Sequence, residues 1–121
     1  MLDHVGLPVA DYTRSKTFYL QALAPLGYGL VMEVGPGGGF GPKGRPQFWI
    51  ATGMPIKQPL HFAFEAKDRA AVRAFHDAAL KAGAKDNGPP GLRPHYHASY
   101  YGAFVLDPDG HNIEAVCHLP E

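Results

Sequence analysis

The sequence predicts an α+β fold, two tandem βαβββ modules joined in one domain, and three observations carry that prediction. The stretch Asp3 to Asp11 (DHVGLPVAD) returns as Leu60 to Asp68 (LHFAFEAKD), with His4 and His61 separated by 57 positions. The same offset pairs Asp11 with Asp68, Phe18 with Phe75, Ala22 with Ala79 and Leu23 with Leu80, without a gap. Each copy begins with period-two alternation, passes an Asp and continues in helical period. Finally, 15 Gly and 12 Pro in 121 residues imply many turns between short strands. A unit of about 60 residues buries too little surface to be comfortable alone, so the two copies should share a core.

The first module spans residues 1–53. From His4 to Val9, Val5, Leu7 and Val9 share one face and His4 points to the other, as in a half-buried strand. Asp11 is a candidate N-cap, and Ser15, Phe18, Tyr19, Ala22, Leu23 and Leu26 follow at helical spacing until Pro25 and Gly27 close the helix. Tyr28 to Val34 reads as a second strand, with a short third near Phe40 inside GPGGGFGPKGRP. Gln47 to Thr52 is the fourth, with Phe48 and Ile50 on one face and Gln47 and Trp49 on the other.

Residues 54–59, rich in proline and without a period, form the expected linker, and residues 60–121 the second module. There His61, Ala63 and Glu65 oppose Phe62, Phe64 and Ala66, Asp68 caps, and Ala71, Val72, Phe75, Ala78, Ala79 and Ala82 make a helical stripe ending at Gly83. A weak strand near Ala84 and a long loop, NGPPGLRPHYH, are expected next. Ser99 to Leu106 and His111 to His118 then form a hairpin across the DPDG turn, with Ile113, Ala115 and Cys117 on its packing face and Glu114 on the other.

Composition narrows the function. Eleven basic residues balance eleven acidic ones, so the formal charge is zero and no charge block suggests nucleic acid or an anionic membrane. No apolar run is long enough for a transmembrane span or leader, and the single Cys117 forms no intrachain disulfide. The expected location is the cytoplasm. Cys117 reads as a buried, inert thiol. Gly39 to Gly44 has phosphate-loop spacing, but Arg45 and Pro46 stand where Lys and Ser/Thr are required.

His4, His61 and Glu114 all fall on non-packing strand faces. If the modules curve round a common cleft, two imidazoles and one carboxylate meet, a set that partly offsets a divalent charge and leaves positions open for substrate. His95 and His97, with His111 and His118, lack the rigid geometry and spacing of a second metal site.

The residues DHVGLPVADYTRSKTFY, HFAFEA and FVLDPDGHNIEAV resemble the vicinal oxygen chelate superfamily over essentially the whole chain. That superfamily includes glyoxalase I, fosfomycin resistance enzymes, bleomycin resistance proteins and extradiol dioxygenases. The resemblance implies a curved, cleft-bearing mixed sheet, an open eight-stranded half-barrel, and puts the metal positions on His4, His61 and Glu114. A fourth position falls near Trp49, whose indole cannot ligate a hard cation, so the set is closer to the three-ligand members. The resemblance also implies one divalent metal per site (Fe, Mn, Ni or Zn) and a homodimer whose site takes the first-strand histidine from one chain and the other ligands from its partner.

Such a site binds two oxygens of a small substrate. Lyase or isomerase chemistry needs a base, for which Glu114 and Glu65 are the candidates, whereas dioxygenase chemistry needs Fe(II). Gln47, Trp49, Arg93, Tyr96 and Tyr100 or Tyr101 are the candidate substrate-binding residues. The alternative is a metal-free protein of the bleomycin-resistance type that sequesters a ligand without turnover.

Overall fold

The computed structural model describes residues 1–121. Each module folds in the same order. In the first, strand β1 (Val5–Pro8) leads into helix α1 (Tyr12–Ala22), a 3₁₀ turn (Ala24–Leu26) and strands β2 (Gly29–Val34), β3 (Gly37–Gly41) and β4 (Phe48–Ala51). In the second, β5 (His61–Glu65) precedes α2 (Arg69–Lys81), β6 (Lys85–Leu92), β7 (Tyr101–Leu106) and β8 (Asn112–Cys117). The repeated aspartates start both helices: Asp11 accepts from the Arg14 N–H at 3.0 Å and Asp68 from the Ala71 N–H at 2.8 Å. Each satisfies an amide that the first turn leaves without a helical partner.

The strands form two four-stranded mixed sheets, ordered β1-β4-β3-β2 and β5-β8-β7-β6. In each, the first strand runs parallel to the last, and the remaining neighbours are antiparallel. The sheets are not joined by a β1–β5 ladder into one hydrogen-bonded half-barrel. What joins them is a shared core. Phe48 of the first module makes edge-on aromatic contacts with Phe62 and Phe64 of the second, the latter at 5.1 Å between ring centroids, and with Tyr19 at 5.0 Å. Phe18, Tyr19, Phe48, Ile50, Phe75 and Ile113 are essentially inaccessible to solvent. Burial of each large apolar side chain contributes about 1.5–3 kcal/mol.

Strand β3 extends the expected short strand near Phe40 into a run of glycines. A Cβ on Gly39 would stand 2.9 Å from the Trp49 ring, and one on Gly41 would strike the Arg45 carbonyl. The glycines are thus required by close approach. The stretch expected as a weak strand and long loop is instead largely the eight-residue strand β6, which contains Pro89 and Pro90. β6 lies at the sheet edge, where a missing N–H costs no ladder bond, and its register shifts between Asp86 and Gly88 and again before Gly91. The loop proper is confined to the residues between Leu92 and Tyr101.

The DPDGH turn between β7 and β8 ties the modules together. Asp107 Oδ2 accepts from the Tyr19 hydroxyl at 2.5 Å, while Oδ1 accepts from the Asp109 and His111 amides, both at 2.9 Å. His111 is buried between the modules. Its Nδ1 accepts from the Leu60 N–H and its Nε2 donates to the Pro8 carbonyl, both at 2.9 Å. The two partners identify the neutral Nε2–H tautomer.

Candidate functional site

Register places the site. Glu114 of β8 stands beside Ala63 of β5 and Phe104 of β7, and alternation puts it on the sheet face away from Ile113, Ala115 and Cys117, which pack in the core. Its carboxylate is buried, at 1 % exposure, and both oxygens are engaged. The His61 Nε2–H donates to Oε1 at 2.9 Å, and the Tyr100 hydroxyl donates to Oε2. Tyr100 sits in the turn before β7. Burial, together with the hydrogen bond to Glu114, pushes its phenol well above the usual tyrosine range.

His4 does not join this pair within the chain. It is exposed, and its Nδ1 lies 2.8 Å from Asp3 Oδ1, a contact that holds the Asp3 carboxyl below the usual range. His4 and His61 do line one cleft of about 460 Å³ between the modules, together with Gln47, Phe62, Phe64 and Glu65. Yet the ligand atoms of His4, His61 and Glu114 do not gather within 4.8 Å of one another. The physical reason is that β1 and β5 belong to separate sheets.

The other candidates divide between the faces. Glu65 is exposed on the cleft wall, four residues along β5 from His61 and on the same strand face. Gln47 accepts from the Tyr28 hydroxyl at 2.9 Å, and burial raises the Tyr28 phenol. Trp49 lies over Gly39, where its indole fills the space a side chain would take. Tyr101 is not brought to the cleft. Opposite Cys117 in register, it lies on the helix side, where Arg69 and Arg73 of α2 cover its ring and Arg73 donates to its hydroxyl at 3.3 Å. Tyr96 packs edge-on against Tyr100 at 4.8 Å, next to His95. His97 and His118 share a ring-nitrogen hydrogen bond of 2.8 Å that pins this loop to the end of β8.

A residue group that sequence reasoning did not single out is Asp107, Asp109 and His111, whose ligand atoms lie within 4.8 Å of one another, a spacing suited to a cation. Each is already engaged by protein: Asp109 accepts from the Ala10 N–H and from Arg14, and the partners of Asp107 and His111 are those of the turn. The signal lay in the D-x-D-x-H spacing, but the satisfied atoms make the group a structural tie between modules.

Fold and site together define a paired-module protein with a histidine–carboxylate couple beside the cleft between its halves. The chain belongs to the glyoxalase/bleomycin resistance protein/dioxygenase superfamily, whose sequence model matches residues 1–115. It is similar to a glyoxalase/bleomycin resistance protein from Albidiferax ferrireducens T118, with 31 % identity and a TM-score of 0.82 over 98 % of this chain and 99 % of that one. A glyoxalase/bleomycin resistance protein/dioxygenase family enzyme from Burkholderia phytofirmans PsJN shares the fold at 18 % identity and a TM-score of 0.75, covering 97 % and 98 % of the two chains. TioX from Micromonospora sp. ML1 does so at 18 % identity and 0.73, covering 98 % and 99 %. No curated protein matches the sequence. No helix is long and apolar enough to cross a membrane.

Proposed function

We propose that the chain is a metalloenzyme of this superfamily that binds a small substrate through two oxygens on one divalent metal held by His61, Glu114 and a His4 supplied by a second copy. The observation that carries this reading is the 2.9 Å separation of His61 Nε2 and Glu114 Oε1. Ligand atoms about 2.1 Å from a metal and at right angles stand about 3 Å apart, so the two donors already have suitable spacing. The donor set, imidazole nitrogen and carboxylate oxygen, suits Fe, Mn, Ni or Zn. A bound metal would supply Lewis acidity to the substrate oxygens.

The chain's own residues then have distinct tasks. Tyr100 fixes the carboxylate by holding Oε2 while Oε1 serves as ligand. Glu65, on the cleft wall and free of a protein partner, is the residue positioned to take a proton from substrate in lyase or isomerase chemistry. Gln47 presents an amide to the same cleft. Exposure of His4, just ahead of the edge strand β1, fits the first-strand histidine reaching a partner's site in a homodimer.

The test is metal content of the protein as isolated, followed by titration of the stripped protein with Fe(II), Mn(II), Ni(II) and Zn(II). One metal per chain, lost in His61→Ala and Glu114→Ala, is expected. Retention of full stoichiometry in both variants would overturn the assignment.

One observation favours a second reading. Both Glu114 oxygens are satisfied by protein donors, so the site is stable without a cation, as a ligand-sequestering protein would need. That reading requires ligand-induced stabilisation of the stripped protein with no gain from metal.

A further inference from the structure

We propose that Arg93 is an anion-binding residue of the sheet face that carries Glu114, which takes a carboxylate, phosphate or phosphonate group of the substrate at a fixed distance from the His61–Glu114 pair. The chelating end of that substrate rests on the function proposed above; the anionic end does not.

The guanidinium is built into the sheet. Its Nη1 donates to the Gly91 carbonyl at 2.8 Å and its Nη2 to the Pro89 carbonyl at 2.9 Å, two acceptors in the bulged, proline-containing part of β6. Its Cζ lies 5.3 Å from the centroid of the Phe104 ring. Glycines make the room: a Cβ on Gly88 would approach Nη2 to 3.1 Å and Phe104 Cδ1 to 2.9 Å, and one on Gly91 would approach Nη1 to 3.3 Å. A side chain with four rotatable bonds is thereby held in one place before any ligand arrives.

Two of its five N–H groups are used on neutral carbonyls, and no carboxylate pairs with it, unlike Arg14, which is matched by Asp109. A half-buried guanidinium with a fixed fork and uncommitted donors is the group that recognises oxyanions in bidentate fashion. Gly88 is in register with Phe104, and Phe104 with Glu114, so the guanidinium lies over the same cross-strand row as the carboxylate. Two strand spacings separate them, roughly 10 Å. The Arg93 N–H also donates to the Tyr100 carbonyl at 2.7 Å, so the anion anchor and the residue that holds Glu114 close one loop between them. The ligand class that fits has an anionic group at one end, chelating oxygens at the other, and a flat or apolar middle lying on Phe104.

The experiment is titration of metal-stripped wild-type protein with inorganic phosphate and with malonate, following the side-chain Nε–H resonances of its arginines by NMR. It is repeated with Arg93→Met, Arg93→Lys and Arg73→Met, and urea unfolding of each variant monitors the fold. Saturable shifts centred on Arg93 are expected, with anion affinity weakened at least about tenfold in Arg93→Met, weakened less in Arg93→Lys and unchanged in Arg73→Met. Absence of saturable binding, shifts centred on another arginine, or a folded Arg93→Met variant that binds as wild type does would overturn the proposal. If Arg93→Met fails to fold, the wild-type shifts and Arg93→Lys decide it. Anion binding that depends on Arg93 in a protein that binds no metal would leave this inference standing and remove the metal reading; metal binding with Arg93-independent anion affinity would do the reverse.

Discussion

Tyr100 donates its phenolic hydrogen to Glu114 Oε2, closing the side of the carboxylate that His61 leaves open. If the phenol orients the carboxylate for metal, Tyr100→Phe weakens divalent-metal binding about tenfold while the protein stays folded. A competition titration with a chromogenic chelator measures it. Tighter binding in the variant would show instead that the phenol competes with the cation.

The position of His4 separates an intrachain from a shared site. His4→Ala and His61→Ala should each abolish stoichiometric metal binding alone. After subunit exchange, mixed dimers carry one intact site, so about a quarter of the wild-type stoichiometry returns. Elemental analysis of the re-isolated mixture reads the outcome, and no recovery would sink the shared site.

His111 is a prediction about stability. Alanine there strands the Leu60 N–H and the Pro8 carbonyl between the modules and leaves a cavity, which costs about 2–5 kcal/mol. Urea denaturation at neutral pH tests it. A loss below about 1 kcal/mol would mean that water replaces the ring without penalty.

Alkali should loosen the fold. Burial, with the Glu33 hydrogen bond, raises the Tyr12 phenol to about 12, and Tyr19 and Tyr100 are also raised, each beside a carboxylate. A tyrosine raised in the folded state holds its proton there when the unfolded chain has begun to release it. Its stabilising contribution is therefore full below about pH 10 and declines as pH rises through the folded value. The urea midpoint should fall from pH 10 upward, and Tyr12→Phe should reduce that slope. An unchanged slope would assign it to the other two.

Much of this architecture was legible because it is written locally. A cap needs only an Asp before a helical period, and both repeated aspartates cap. Alternation likewise puts Glu114 on the face away from the core. Where position depends on a distant partner, local pattern is silent. Tyr100 and Tyr101 are indistinguishable as neighbours, yet one reaches Glu114 and the other lies under α2. Pro89 and Pro90 read as breakers because nothing local reveals that β6 is an edge. His111 looked like one of several nearby histidines, and only the packing of the modules makes it a buried bridge.

That bridge bears on how the molecule comes into being. The His111 ring meets the Pro8 carbonyl across 103 positions, and the Tyr19–Asp107 bond spans 88. Contacts of such separation carry a loop-closure penalty before they return any stabilisation, which slows folding. During synthesis the first module leaves the ribosome with its Pro8 carbonyl and Tyr19 hydroxyl awaiting groups that are made much later. A nascent chain halted at residue 59 should therefore remain protease-sensitive, and acquisition of resistance should coincide with emergence of the β7–β8 hairpin.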